Sequence, residues 1–198
     1  MMEKNNKPEY RSIGMTATEN ENVVSGTAIV FGQETVIGTD RFGTEYREIV
    51  EPKALDGVNI TDTPLKYNHD KSKANILARQ RDKSLLVNVD ETGVHFQAEL
   101  RTNLGKDVYA AVKAGDISGC SFGFFCQDDH IEKMGNVIIR HIDKLEKLTD
   151  LSIVDDPQYT QTSVEARSEN TPKWVEDIEE KRSKEKFERE KLILLSYL

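Results

Sequence analysis

The stretch "GDISGCSFGFF", residues 115–125, decides how the rest of the chain is read. If 117–126 is a β-strand, its period of two puts Ser118, Cys120, Phe122, Phe124 and Cys126 on one face and Gly119, Ser121 and Gly123 on the other. The first set is core-forming. The second leaves one hydroxyl between two residues that have no side chain. Local pattern alone keeps two readings of Ser121 open: a small residue packed beneath a covering element, or a nucleophile whose flanks are cleared for a substrate backbone.

Strands dominate on either side. "VVSGTAIVF" (23–31), "EYREIV" (45–50), "SLLVNV" (84–89), "VHFQAEL" (94–100), "NVIIRHI" (136–142) and "LTDLSIV" (148–154) are rich in β-branched, aromatic and aliphatic residues. Short polar turns such as "DETG" separate several of them. "NLGKDVYAAVKAGD" (103–116) places Leu104, Val108, Ala111 and Val112 at i, i+4, i+7 and i+8, with Gly115 as a stop, which predicts an amphipathic helix. "PKALDG" (52–57) reads as a single helical turn, opened by Pro and closed by Gly. Without regular βαβ alternation, the expected fold is α+β and mainly β, a mostly antiparallel, partly closed sheet or barrel with a few flanking helices.

The chain has 198 residues, enough for one domain with appendages. Residues 1–9 are polar and predict a disordered lead-in. After about residue 168 the composition turns strongly charged, and Val175, Ile178, Arg182 and Lys186 share one face, so 168–198 reads as a helical tail whose last turns dock on the body or on a partner. The domain proper is then 10–167. Net charge is −8 with both signs interspersed, which argues against direct nucleic-acid binding. No apolar run approaches the ~20 residues of a membrane span, and no secretory leader is legible at the N-terminus, so a soluble, intracellular protein is expected. Cys120 and Cys126 are too far apart on one strand face for a disulfide and lack the partners of a zinc site; neither metal nor cofactor is expected.

A serine nucleophile needs a base. Of four histidines, His69 sits where a short extended run, "TPLKYNHDKSK", enters a polar turn and can face a cleft; His95 and His130 read as surface residues, and His141 as either buried or exposed. Asp150, inside the apolar strand pattern of "KLTDLSIVDDP", either has a partner or faces water from a sheet edge. Asp155 and Asp156, before Pro157, read as turn formers.

Five segments in order, "VSGTAIVFGQ" with "YREIVEPKAL", "PLKYNHD", "ILARQRDKSLLVNVDETGVHFQAEL", "GKDVYAAVKAGDISGCSFGF" and "LTDLSIVDDPQYTQTSV", make residues 10–167 similar to the prohead proteases of tailed phages. These are capsid-maturation serine peptidases related in fold to herpesvirus assemblin proteases. The resemblance implies Ser121 as nucleophile, His69 as general base and Asp150 as third member, where the family usually carries glutamate in an acidic-apolar-Ser context. The herpesvirus relatives use a second histidine there, which holds His141 in reserve, and Arg140 is a candidate for oxyanion support. It further implies self-cleavage and removal of scaffold segments from the major capsid protein inside the procapsid, in the host cytoplasm. Capsid protein and scaffold are the expected partners, and a homodimer follows by analogy with the herpesvirus enzymes. The competing expectation is a non-catalytic assembly or scaffolding factor that keeps the fold and binds coat protein through its charged tail.

Overall fold

The computed structural model describes residues 9–17, 21–72, 75–155 and 173–195. Among them are ten strands, β1 (Glu9–Ala17), β2 (Val23–Val30), β3 (Thr35–Thr39), β4 (Glu45–Val50), β5 (Leu65–Tyr67), β6 (Ile76–Ala78), β7 (Leu85–Asp90), β8 (Gly93–Glu99), β9 (Gly119–Met134) and β10 (Val137–Val154). Two helices, α1 (Asn103–Ala114) and α2 (Lys173–Leu195), complete the set.

The strands join in the order β3-β4-β10-β9-β1-β2-β8-β7, with β5 on β10 and β6 on β5. This path is open, with β3 and β7 at its ends, so the expected partial closure into a barrel is corrected. Most neighbours are antiparallel, but β4 and β5 both run parallel to β10. What the amino-acid pattern splits into separate strands is one hairpin: β9 runs on past 125 to Met134, turns through Gly135, and returns as the 18-residue β10. Register shifts between Ile142 and Asp150 bend β10, so that its first half pairs with β4 and its last residues with β5.

The main core is built from the inward faces of β2, β8, β9 and β10 together with α1, and includes Val24, Ile29, Phe96, Cys120, Phe122, Phe124, Leu151 and Ile153. Cys120 and the two phenylalanines follow the period-two pattern. Ser118, assigned by that pattern to the core face, is instead exposed, because the strand begins one residue later at Gly119. Helix α1 forms where expected. Thr102 caps it by accepting from the Gly105 N–H (2.9 Å), and Gly115, at φ 85°, ends it by donating to Ala111 and Val112 carbonyls. Residues 52–57 form successive hydrogen-bonded turns rather than a helical turn, with Ala54 N–H on Glu51 O and Asp56 N–H on Lys53 O.

Helix α2 docks by its first turns: Trp174, Val175 and Ile178 are buried against Ile37, Tyr46 and Ile138 on β3, β4 and β10. Burying each such side chain contributes about 1.5–3 kcal/mol, enough to seat the helix start. Beyond Ile178 the described side chains are mostly exposed. The apolar end "LILLSYL" lies outside the described side chains, as does the disordered lead-in expected for 1–9, except that Glu9 already opens β1.

Candidate active site

Cross-strand register assembles the site. Ser121 on β9 is the Cα partner of Ser152 on β10, and Ser152 is in turn the partner of Lys66 on β5. Residues directly opposite on neighbouring strands share a face, so Ser121, Ser152 and Lys66 form one row across three strands. Asp150, two residues before Ser152, points the same way. Cys120, Phe122, Leu151 and Ile153 point into the core from the opposite face. Gly123 is the partner of Asp150, so no side chain on β9 stands opposite the carboxylate.

His69 reaches this row from the turn after β5. The Asp70 N–H donates to the Tyr67 carbonyl (3.0 Å) across Asn68 and His69, whose φ values are 48° and 53°. Two consecutive residues in the left-handed region give a type I′-like turn, at a cost of about 1–2 kcal/mol per non-glycine residue. The neighbouring strand holds it: Asn68 N–H donates to Ile153 O (2.9 Å), and His69 N–H donates to Ser152 Oγ (3.0 Å). Strain of this kind persists where surrounding contacts over-determine the backbone, and here it aims the imidazole.

The result is a continuous hydrogen-bonded chain. Ser121 Oγ lies 2.6 Å from His69 Nε2, and His69 Nδ1 lies 2.6 Å from Asp150 Oδ2. Asp150 is 2% exposed and receives three further donors: Ser152 Oγ (3.1 Å) on Oδ2, and Thr149 Oγ1 (3.0 Å) and Lys66 Nζ (3.4 Å) on Oδ1. Burial pushes the carboxyl's pKa up, but the bond from His69, the charges of His69 and Lys66 and the Thr149 bond outweigh it, leaving the pKa below the usual aspartate value. An ionised Asp150 only accepts, so Nδ1 carries the imidazole proton and Nε2 is left to accept from the Ser121 hydroxyl. This is the tautomer a general base requires.

One residue away, Cys120 does not compete as a nucleophile. It is buried in the core, and burial pushes its thiol up to about 12, far from the reactive thiolate.

His141 and Arg140 stand elsewhere. His141 lies nine residues before Asp150 on β10, roughly 30 Å away at the ordinary strand rise. It stacks on His130 (ring centroids 4.5 Å apart) and bonds to Glu51 (2.7 Å) and Glu132 (3.2 Å), so it does not reach Ser121 as a third member. Arg140 is buried and pairs with buried Glu48 (3.0 Å) and half-buried Asp129, and Glu48 also accepts from the Trp174 indole N–H (2.8 Å). Its place is in the seat of α2, not beside a reacting carbonyl. His95 bonds to Thr27, and His130 is exposed and bonds to Asp143. Asp155 takes part in the His69 turn through its backbone N–H to Asn68 Oδ1 (3.2 Å), while Asp156 lies outside the described residues.

Residue-by-residue reading singles out neither Ser152 nor Lys66. The signal available was parity: Ser152 shares the face of Asp150 two residues earlier, a second polar side chain on the non-core side of an apolar strand.

Among the described residues no cluster of His, Cys, Asp or Glu is arranged to hold a metal ion, and no helix is long and apolar enough to cross a membrane. Comparison with curated proteins and with solved structures returns no match. The family model described as caudovirus prohead serine protease matches residues 9–175, which include His69, Ser121 and Asp150. With a serine, a histidine and a carboxylate in one hydrogen-bonded chain inside that span, this protein belongs to the caudovirus prohead serine protease family.

Proposed function

We propose that this chain is a serine endopeptidase of capsid maturation in which Ser121 is the nucleophile, His69 the general base and Asp150 the residue that orients and charge-stabilises the imidazole. The observation that carries the reading is the pair of 2.6 Å contacts on the two nitrogens of His69. In the reaction His69 Nε2 takes the Ser121 proton as Oγ attacks the scissile carbonyl, giving an acyl-enzyme. His69 then hands the proton to the leaving amine, and water, activated by the same nitrogen, releases the acid. Asp150 stays ionised throughout and stabilises the imidazolium that forms.

The substrates in this reading are the major capsid protein, its scaffold segments and the protease itself, cleaved inside the procapsid. The protease domain spans 10–167 and the charged tail 168–198 contacts scaffold or capsid protein. Dimerisation and a fold relationship to the herpesvirus assemblin proteases belong to the same proposal. A non-catalytic assembly factor would have no use for a buried, fully bonded carboxylate behind a strained histidine, which favours the enzyme.

The test is co-expression with the major capsid protein of the same phage, followed by intact-mass measurement. Wild type is expected to shorten the capsid protein and Ser121→Ala to leave it whole. Identical fragments from the two would overturn the assignment.

A further inference from the structure

Beside the acid end of the hydrogen-bonded chain lies a cavity of about 380 Å³ that the chemistry above does not use. Lys66 and Thr149 belong both to its wall and to the donors that hold Asp150, so it opens directly next to the site. Four cations line it: Lys66, Lys71, Arg79 and Lys147. One carboxylate on its wall, Asp62, is taken by Arg79 (3.0 Å). The side chains of Lys71 and Lys147 are exposed and make no ion pair or hydrogen bond among the described residues. With Lys66 on Asp150 and Arg79 on Asp62, Lys71 and Lys147 leave an excess of positive charge among the described wall residues, the reverse of the whole chain, whose net charge is −8. Buried Pro64 and Leu148 supply an apolar floor between the charged rims.

Register sets the distance from the nucleophile. Lys66 is two strands from Ser121 along the Ser121-Ser152-Lys66 row, roughly 10 Å at the usual strand spacing. An extended peptide covers that distance in about three residues.

Resting on the peptidase reading above, we infer that this cavity is a specificity subsite for an acidic side chain, Asp or Glu, about three residues from the scissile bond of the substrate. The carboxylate meets Lys71 and Lys147 at the rim, while the methylenes of a glutamate lie on Pro64 and Leu148. Exposed charge contacts of this kind discriminate a carboxylate from its amide by about fivefold.

Binding can be read without cleavage. A random decapeptide library is displayed against the full chain carrying Ser121→Ala, and recovered peptides are sequenced. One position is expected to favour Asp and Glu over Asn and Gln by about fivefold. Adding Lys71→Glu and Lys147→Glu is expected to move the preference at that position to Lys and Arg, a gain that misfolding cannot imitate. Absence of acidic enrichment, or enrichment that survives the double reversal, overturns the subsite whether or not the protein is a peptidase. Cleavage of the recovered peptides by the wild-type chain then tests the peptidase reading separately.

Discussion

At one end of the β9–β10 hairpin His69 meets Asp150 at 2.6 Å; toward the other, His130 meets Asp143 at the same distance, and His141 meets Glu51 at 2.7 Å. The pairs are alike in type and length, and only their surroundings differ. The Asp150 side chain is 2% exposed, whereas Asp143 is 36% exposed and His130 60%. In water such pairs contribute about 0–1 kcal/mol, but a buried carboxylate stripped of its partner costs several kcal/mol. A second difference is what occupies the other histidine nitrogen. His69 Nε2 faces a hydroxyl that it can deprotonate, while both nitrogens of His141 face carboxylates. A short histidine-carboxylate contact is therefore not itself a catalytic signature; burial and a hydroxyl on the free nitrogen separate the two ends.

Substitutions test the two ends separately. The largest expected effect is that of Ser121→Ala, a loss of peptidase activity of at least ~10³-fold with the thermal unfolding midpoint nearly unchanged. If His130→Gln produced an equal loss, the distinction between the two ends would collapse.

Next is Asp150→Asn, expected to lower kcat by roughly 10²–10⁴-fold, because an amide no longer holds the proton on Nδ1 and the imidazolium loses its counter-charge. Its effect on stability depends on pH. The folded-state pKa of Asp150 is depressed, so the carboxylate's contribution is fully present above its unfolded pKa, about 4, and is lost as pH falls through the lower folded value. Denaturant melts at pH 7 and below 4 should show the wild type losing stability that the Asn variant never had.

Ser152→Ala should be milder. It removes the acceptor of the His69 N–H and one donor to Asp150, costing about 1–3 kcal/mol in urea unfolding, and activity should fall less than in Asp150→Asn.

The smallest effect belongs to the exposed end. His130 has its pKa raised, chiefly by the bond to Asp143, so its contribution is present below the unfolded histidine pKa of about 6.5 and fades as pH rises through the folded value. His130→Gln should lower stability slightly at pH 5, less so in high salt, converge with wild type once pH has risen past the folded value, and leave proteolysis intact.

Much of this contrast was legible in the amino-acid order. Alternation in "GCSFGFF" separates Ser121 from Cys120, Phe122 and Phe124, and the helix with its Gly115 stop follows from spacing and capping. β1 was missed: in "EYRSIGMTA" the polar and glycine residues interrupt the alternation, and its place between β9 and β2 is set by non-local pairing. The short β3 and β6 carry too few residues for a period to register, whereas β5 coincides with the short extended run that leads to His69. The fusion of 136–142 with 148–154 into one strand was hidden by the bulges between Ile142 and Asp150, which break the alternation that would announce it. Arg140 and His141 were close to Asp150 in sequence but not in space, because along an extended strand ten residues carry a side chain some 30 Å. The roles of Ser152 and Lys66 depend on register between strands, which no single segment encodes.

The most direct measurement is covalent labelling of the full chain with a fluorophosphonate, read by peptide mass spectrometry. One adduct is expected on Ser121, absent in Ser121→Ala and formed at least tenfold more slowly in Asp150→Asn. A folded wild-type chain with no adduct on Ser121, or an Asp150→Asn variant labelled at the wild-type rate, would contradict the assignment.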